Sequence, residues 1–320
     1  MKELRWRGWL GVFTTILVFA IAAWLFRHEI MSVARRFVLP EIAAAPEGTL
    51  RFAVIGDYGE GSYPERDVAQ LIGTWNPEFI ATVGDNNYPD GSAETIDRNI
   101  GQFYHSYIYP YKGSFGPGAE TNRFFPIPGH RDWDTPGLVP YLEYFTLPGN
   151  ERYYDFVWGP VHFFMIDTDE REPDGATDNS VQGLWLKERL SKSVSPWNLV
   201  FAHHAPYTSH SVEDTVRMRW PFKEWGAHAV LSGYYHIYER LVIDGIPYFV
   251  DGAGGSWVSH FGEIDNNSKI RYNEDYGALR IDATDSRITF RFVNRNGKVI
   301  DEYVMEKATE STESVKPGAK

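Results

Sequence analysis

Cysteine is absent from all 320 residues. No disulfide and no thiolate metal ligand is available, so any bound metal must be held by His, Asp, Glu, Asn or Tyr. Positive charge is scarce too: 31 Lys and Arg face 43 Asp and Glu, a formal net charge of −12. No long Lys/Arg run stands outside the N-terminus. A nucleic-acid backbone wants a basic stripe, so no nucleic-acid partner is expected. A Gly-rich loop leading into Lys-Ser/Thr at a helix start is also missing, which argues against a generic nucleotide-binding α/β protein. Neither an internal repeat nor a linker divides the chain. What is present is a globular composition, 43% hydrophobic and 23% charged, with aromatics at 16%, enough for a sizeable core.

The first fifty residues read as a separate object. Residues 8–26, "GWLGVFTTILVFAIAAWLF", carry no charge and as a helix would span roughly 28 Å, close to the ~30 Å hydrocarbon core. Trp9 and Trp24 stand near its ends, where interfacial aromatics belong. A cleaved signal peptide would have a shorter apolar region and a nearby small-residue site. "AAAP" at 43–46 lies far beyond the run, past Arg27, Arg35 and Arg36. An uncleaved single transmembrane helix is the expectation, with the globular part extracytoplasmic, although basic residues flank both sides. The expected division is a membrane anchor and linker over 1–47, a folded domain over 48–306 and a disordered tail over 307–320.

Several apolar, β-rich runs stop at a polar cluster. "LRFAVIGDYG" ends in Asp57, "FIATVGDNNY" in Asp85 and Tyr88, and "RFFPIPGHRD" in His130, Arg131 and Asp132. "NLVFAHHAP" ends in His203 and His204, and "AVLSGYYH" in His236. Between the first two runs, Val68, Leu71, Ile72 and Trp75 recur at helical spacing, which makes a β-α-β unit with parallel strands. In such sheets the functional crevice lies beyond the carboxyl ends of the strands, where all these clusters sit. Residues 276–305 alternate apolar and polar residues around "NRNGK" and read as antiparallel strands joined by an Asn-Gly turn. Carboxylate, imidazole and phenolate together suit Fe, Zn or Mn. Asp85 could bridge two ions, the arrangement that activates water and clamps a phosphoryl group.

The order of these motifs resembles calcineurin-like metallophosphoesterases, and among them the purple acid phosphatase-like group. The resemblance rests on "GDYG" (56–59), "GDNNY" (84–88), "FAHHAPY" (201–207), "GYYHIYER" (233–240) and "DGAGG" (251–255). It implies an α/β fold of mixed β-sheets packed as a sandwich and flanked by helices. It also implies hydrolysis of phosphate esters at a dinuclear metal site, with a metal-bound hydroxide as nucleophile. The first ion would take Asp57, Asp85, Tyr88 and His236; the second would take Asp85, His130, His203 and Tyr234. Iron paired with Zn, Mn or Fe is the implied cofactor set.

The departures from the family pattern fall on the second ion. "GHRD" (129–132) replaces Gly-Asn-His-Asp/Glu, so His130 stands for a metal-binding Asn and Arg131 for an assisting His. Tyr234 replaces the first His of Gly-His-x-His. Tyr234 could ligate as a phenolate, or it could pack at the crevice wall with the second ion lost. Arg131 cannot give up its proton but could fork onto a phosphate oxygen; His204 or His210 could supply a proton. The alternative to an active phosphatase is a pseudo-phosphatase that binds phosphate ligands or a partner. Asp167 and Asp169 read as structural or supporting, the glycines of 251–255 as a turn beside the site, and the acidic stretch 169–178 as a solvated loop. His105, His162, His228 and His260 have no spacing that argues for a site.

Overall fold

The computed structural model describes Ile21 and residues 45–212 and 215–307. Nearly all of the expected anchor (8–26, apart from Ile21) and of the expected tail lies outside the described residues. Among the described residues, no helix is long and apolar enough to cross a membrane.

Two mixed sheets carry the fold. In the first, strands β1 (Leu50–Ile55), β2 (Phe79–Thr82) and β3 (Phe124–Phe125) run parallel. The antiparallel strands β11 (Gly277–Ala283), β12 (Arg287–Asn294) and β13 (Val299–Glu306) extend it beyond β1. In the second, β5 (Val161–Met165), β6 (Trp197–Ala202), β7 (Ala229–Ser232) and β9 (Ile246–Asp251) are parallel. Strands β4 (Tyr154–Trp158), β8 (Tyr238–Ile243) and β10 (Ser268–Tyr272) add antiparallel pairs to it.

Helix α1 (Tyr63–Trp75) makes the crossover from β1 to β2, as its apolar spacing requires. Ser62 caps it by accepting from the Glu65 N–H, and Val68, Leu71, Ile72 and Trp75 are buried. Helix α2 (Val181–Lys192) covers the second sheet and sets Leu186 and Leu190 against Phe164 and Val200.

The sheets face each other through aromatic rings. Phe52 and Phe79 of the first meet Phe163 of the second with centroids 5.1 and 5.3 Å apart, edge to face. Further along, Tyr238 stacks on Phe292 at 4.0 Å. Burying such rings is the largest favourable term here, since each removes about 150–250 Å² from water. The high aromatic content is thus the filling of a sandwich.

Two details differ from the sequence reading. Only Phe124–Phe125 of the expected strand 123–132 pairs, because Pro126 and Pro128 have no N–H for the ladder. The hairpin β8–β9 was not anticipated, yet "IDGI" carries its signal. Asp244 and Gly245 have φ of 53° and 86°, the left-handed pair that a two-residue turn needs.

Phe79 is fully buried and touches rings from both sheets. Phe79→Ala should cost about 3–5 kcal/mol of unfolding free energy, read as a lowered urea midpoint. A loss under about 1 kcal/mol would show that the sandwich core does not depend on this contact.

Candidate metal centre

The parallel strands of both sheets deliver their carboxyl ends to one place. Asp57 follows β1, Asp85 follows β2, His130 follows β3, His203 follows β6 and His236 follows β7. The two sheets are stitched there. The ring Nδ1 of His203 lies 2.8 Å from the Val83 carbonyl, and the Tyr234 N–H donates to Asp57 Oδ2 at 2.9 Å.

The backbone at the site is unusual. Asp57, Asp85, Tyr234 and His236 all have positive φ, at 53°, 50°, 75° and 49°. Such conformations cost roughly 1–3 kcal/mol each and persist only where surroundings impose them. Glycine makes the approach possible. A Cβ on Gly233 would lie 2.4 Å from Asp57 Oδ2, and one on Gly84, itself at φ 93°, would lie 2.5 Å from His203 Nδ1.

Two overlapping clusters result. Asp57, Asp85 and His236 can each present a ligand atom within 4.8 Å of the others, and so can Asp85, His130 and His203. The Tyr88 hydroxyl sits at the first cluster, 3.4 Å from Asp57 Oδ1, 3.0 Å from Asp85 Oδ2 and 3.2 Å from His236 Nε2. In the second, His130 Nδ1 and His203 Nε2 each lie 3.2 Å from an Asp85 oxygen and 3.2 Å from one another. Asp85 belongs to both.

The imidazoles are aimed. His203 Nδ1 faces the Val83 carbonyl and His236 Nδ1 faces the Trp257 carbonyl at 3.1 Å. An Nδ1–H held this way turns Nε2 inward as the free lone pair, the usual second contact of a ligating histidine.

The electrostatics call for a cation. Asp57 and Asp85 are wholly buried. Burial pushes the Asp57 carboxyl well above the usual range. Burial also works against a charge on Asp85, but His203 and His130 outweigh it and hold that carboxyl well below normal. Burial likewise opposes charge on His203, yet the Asp85 carboxylate pushes it up to about 10. Without metal, the Asp85 carboxylate is balanced by the proton on His203, whereas Asp57 is pushed toward keeping a proton of its own. A bound ion would meet the same demand with more charge and more bonds, so the donor set fits a metal pair.

The other expected site residues gather nearby. The Arg131 N–H donates to Asp85 Oδ1 at 2.8 Å, and its half-exposed side chain lines a cleft of about 220 Å³ with His130, His210 and His236. His210 also packs its ring on Tyr235. His204 is buried, with its ring Nδ1 2.8 Å from Thr168 Oγ1, and burial holds its pKa well below normal. The Tyr234 ring stands 4.5 Å from His204 and 5.6 Å from His203. Tyr235 turns into the core, its hydroxyl beside Thr215. The glycine turn at 251–255 does approach the site: Gly254 N–H donates to the Gly56 carbonyl and Ser256 N–H to that of Asp57.

Some residues support the site in roles that the sequence did not assign. Asp132 Oδ2 accepts from the N–H groups of Gly129 and Asn86 and from the Asn86 amide, locking the loop that carries His130 onto the loop that carries Asp85. Trp257 stacks on His236 at 4.0 Å. Arg171 donates to the carbonyls of His130 and Trp133 while Asp169 holds its guanidinium. The expected solvated loop at 169–178 is a loop with Glu170, Pro173, Thr177 and Asp178 exposed, but two of its acids depart from that expectation. Asp169 and Glu172 are buried there, paired with Arg171 and Arg152. Asp132, Asn86 and Trp257 lie in or near the quoted motifs, which was a usable signal; Arg171 offered none.

The family model for calcineurin-like phosphoesterases matches residues 50–238. The chain belongs to the calcineurin-like phosphoesterase family. It is 23% identical over 309 residues to mouse (Mus musculus) "Tartrate-resistant acid phosphatase type 5", covering 79% of this chain and 89% of the relative. To "Probable inactive purple acid phosphatase 1" of Arabidopsis thaliana it is 20% identical, covering 74% of this chain and 41% of that longer protein. Two solved structures share the fold. Purple acid phosphatase PPD1 from yellow lupin has a TM-score of 0.64 at 17% identity, covering 83% of this chain and 55% of that one. "GAP50 the anchor in the inner membrane complex of Plasmodium" has a TM-score of 0.63 at 18% identity, covering 83% and 91%. The phosphoesterase family is metal-dependent, and both Asp/His clusters of this chain stand where the sandwich gathers its strand ends.

Gly84→Ala should drive a methyl group into the His203 ring, costing about one metal ion per chain by elemental analysis while the Asp57–His236 cluster keeps its own. Undiminished metal content would show that the loop yields. Chelation should lower the Tm by about 5–10 °C, because ligand at a hundredfold its Kd adds about 2.7 kcal/mol and each kcal/mol moves a body of this size by about 2–4 °C. An unchanged Tm in a scanning-calorimetry trace would mean that these clusters hold no ion.

Proposed function

We propose that this protein hydrolyses phosphate esters with two metal ions, in the manner of an acid phosphatase. The observation that carries the reading is Asp85, which belongs to both ligand clusters: its oxygens lie 3.2 Å from His130 and His203, and its Oδ2 also lies 3.0 Å from the Tyr88 hydroxyl of the other cluster. In this reading Asp57, Asp85, Tyr88 and His236 hold one ion, and Asp85, His130 and His203 hold the other with Tyr234 beside them. Such a pair supplies Lewis acidity toward phosphoryl oxygens and an acidified water at neutral pH. Arg131 grips a phosphate oxygen at the cleft mouth through its forked N–H groups. His210, on the wall of the same cleft, delivers a proton to the departing oxygen; His204, expected as the other donor, is buried with its pKa held well below normal and is not suited to that role. Iron in the Tyr88 site, partnered by Zn, Mn or Fe, would give a visible phenolate charge-transfer band. The uncharged apolar run 8–26 supports a membrane anchor in this reading; placement of the phosphatase domain outside the cytoplasm is part of the proposal.

A second reading has its own support. The residues at 130, 131 and 234 depart from the family's Asn, His and His, all at the second ion. The Arabidopsis relative is named "Probable inactive", and the Plasmodium neighbour is described as an anchor. In that reading the chain holds one ion or none and binds a phosphate ligand or a partner.

Metal content of the purified protein, after exposure to Fe, Zn and Mn, separates the two. The phosphatase reading expects two ions per chain, one after His203→Ala, none after Asp85→Asn, and a fall in phosphatase rate of at least about 10²-fold in both variants. The combined change His130→Asn, Arg131→His and Tyr234→His then checks the ligand set. Activity that arises only in this variant would establish the pseudo-phosphatase reading. Lost activity would show that the natural ligands are a working variant.

A further inference from the structure

Trp257 does more than cover a histidine. One face of its indole lies against His236, with ring centroids 4.0 Å apart and planes 22° apart, and its edge meets Tyr88 at 5.7 Å. Yet the residue is 46% exposed, a large apolar surface left in water. Val212, 56% exposed, lines the same cleft of about 220 Å³ as Trp257, His130, Arg131 and His236. Single exposed apolar residues are ordinary, but two on the walls of one small cleft, beside the candidate metal ligands, make an apolar lip.

That lip is held in place. The Ser259 N–H donates to the His236 carbonyl, and the Asn273 amide donates to the Ser259 carbonyl. The Gly262 N–H donates to the Ser209 carbonyl at 2.7 Å, and His210 bridges to Phe261. The segment with Trp257 is therefore tied to β7's outgoing loop on one side and to the segment with Val212 on the other. A flat surface fixed in advance can stack on a ligand with little ordering cost.

We propose that Trp257, with Val212, forms a subsite for a planar apolar leaving group, so that the substrates are phosphate esters of aromatic alcohols rather than of small alkyl or sugar alcohols. The inference rests on the phosphoester reading above. The phosphoryl group sits between the two ligand clusters and Arg131; the aromatic ring extends along the exposed indole toward Val212. Stacking of this kind gives about a 3- to 10-fold preference over an aliphatic group.

Binding of two non-hydrolysable probes, benzylphosphonate and ethylphosphonate, to the full metal-loaded chain tests this by titration calorimetry. The wild type should bind benzylphosphonate about 3- to 10-fold more tightly. Trp257→Leu should bring the two Kd values within about twofold, chiefly by weakening benzylphosphonate, whereas Trp257→Phe should retain most of the preference. Metal analysis of each variant checks that His236 still ligates. Should Trp257→Leu lose metal, Val212→Ser decides instead, with the preference expected to fall by about half. Equal Kd values in the wild type, or a preference that survives these changes, would overturn the subsite while leaving the phosphoester reading intact. If neither probe binds a chain that holds its metals, the phosphoester reading fails and takes this inference with it.

Discussion

Two carboxylates buried side by side are the constraint around which this molecule is arranged. Asp57 and Asp85 have no exposed surface, and isolated ionised carboxyls in such a place would cost many kcal/mol. They are tolerated because imidazoles and backbone N–H groups converge on them. His203 and His130 face Asp85, His236 faces Asp57, and the N–H groups of Arg131 and Tyr234 donate to the two carboxylates. Those contacts come from both sheets, so the sandwich must close before the charges are matched.

The backbone bears part of that cost. Four non-glycine residues at the site sit in the left-handed region, and each is reached by a strand that stops at a glycine. The strain is held by a packed aromatic interlayer beneath it and by the Asn86–Asp132 knot beside it. Stability stored in the core is thus spent on fixing ligand directions, the arrangement expected where a site must be preorganised.

Tyr234 and Tyr235, adjacent in sequence, have opposite fates. The Tyr235 ring fills the core, whereas Tyr234 leans over His203 and His204, between the metal cleft and a second cavity of about 390 Å³ lined by Arg171 and Arg217. Its N–H donates to the Asp57 carboxylate, so the position matters through its backbone even where the side chain differs from the family pattern.

Much of this was legible from the chain alone. Apolar runs ending in Asp, His and Tyr announced the strands, the crossover and the ligand types, because burial dictates hydrophobic runs and metal chemistry dictates donors. The antiparallel C-terminal strands followed from alternation and an Asn-Gly turn. Sequence could not give the short β3, where two prolines remove ladder donors, nor the Arg171 clamp, whose partners lie about forty positions away. It could not say that Asp169 and Glu172 are buried rather than solvated, since that depends on arginines brought from elsewhere. Sequence determined which groups exist and at which strand ends they stand. Only the closed sandwich decided that Asp85 faces two clusters, that Tyr234 and Tyr235 diverge, and that Trp257 lies on His236, because those facts depend on distances across two sheets that no local pattern encodes.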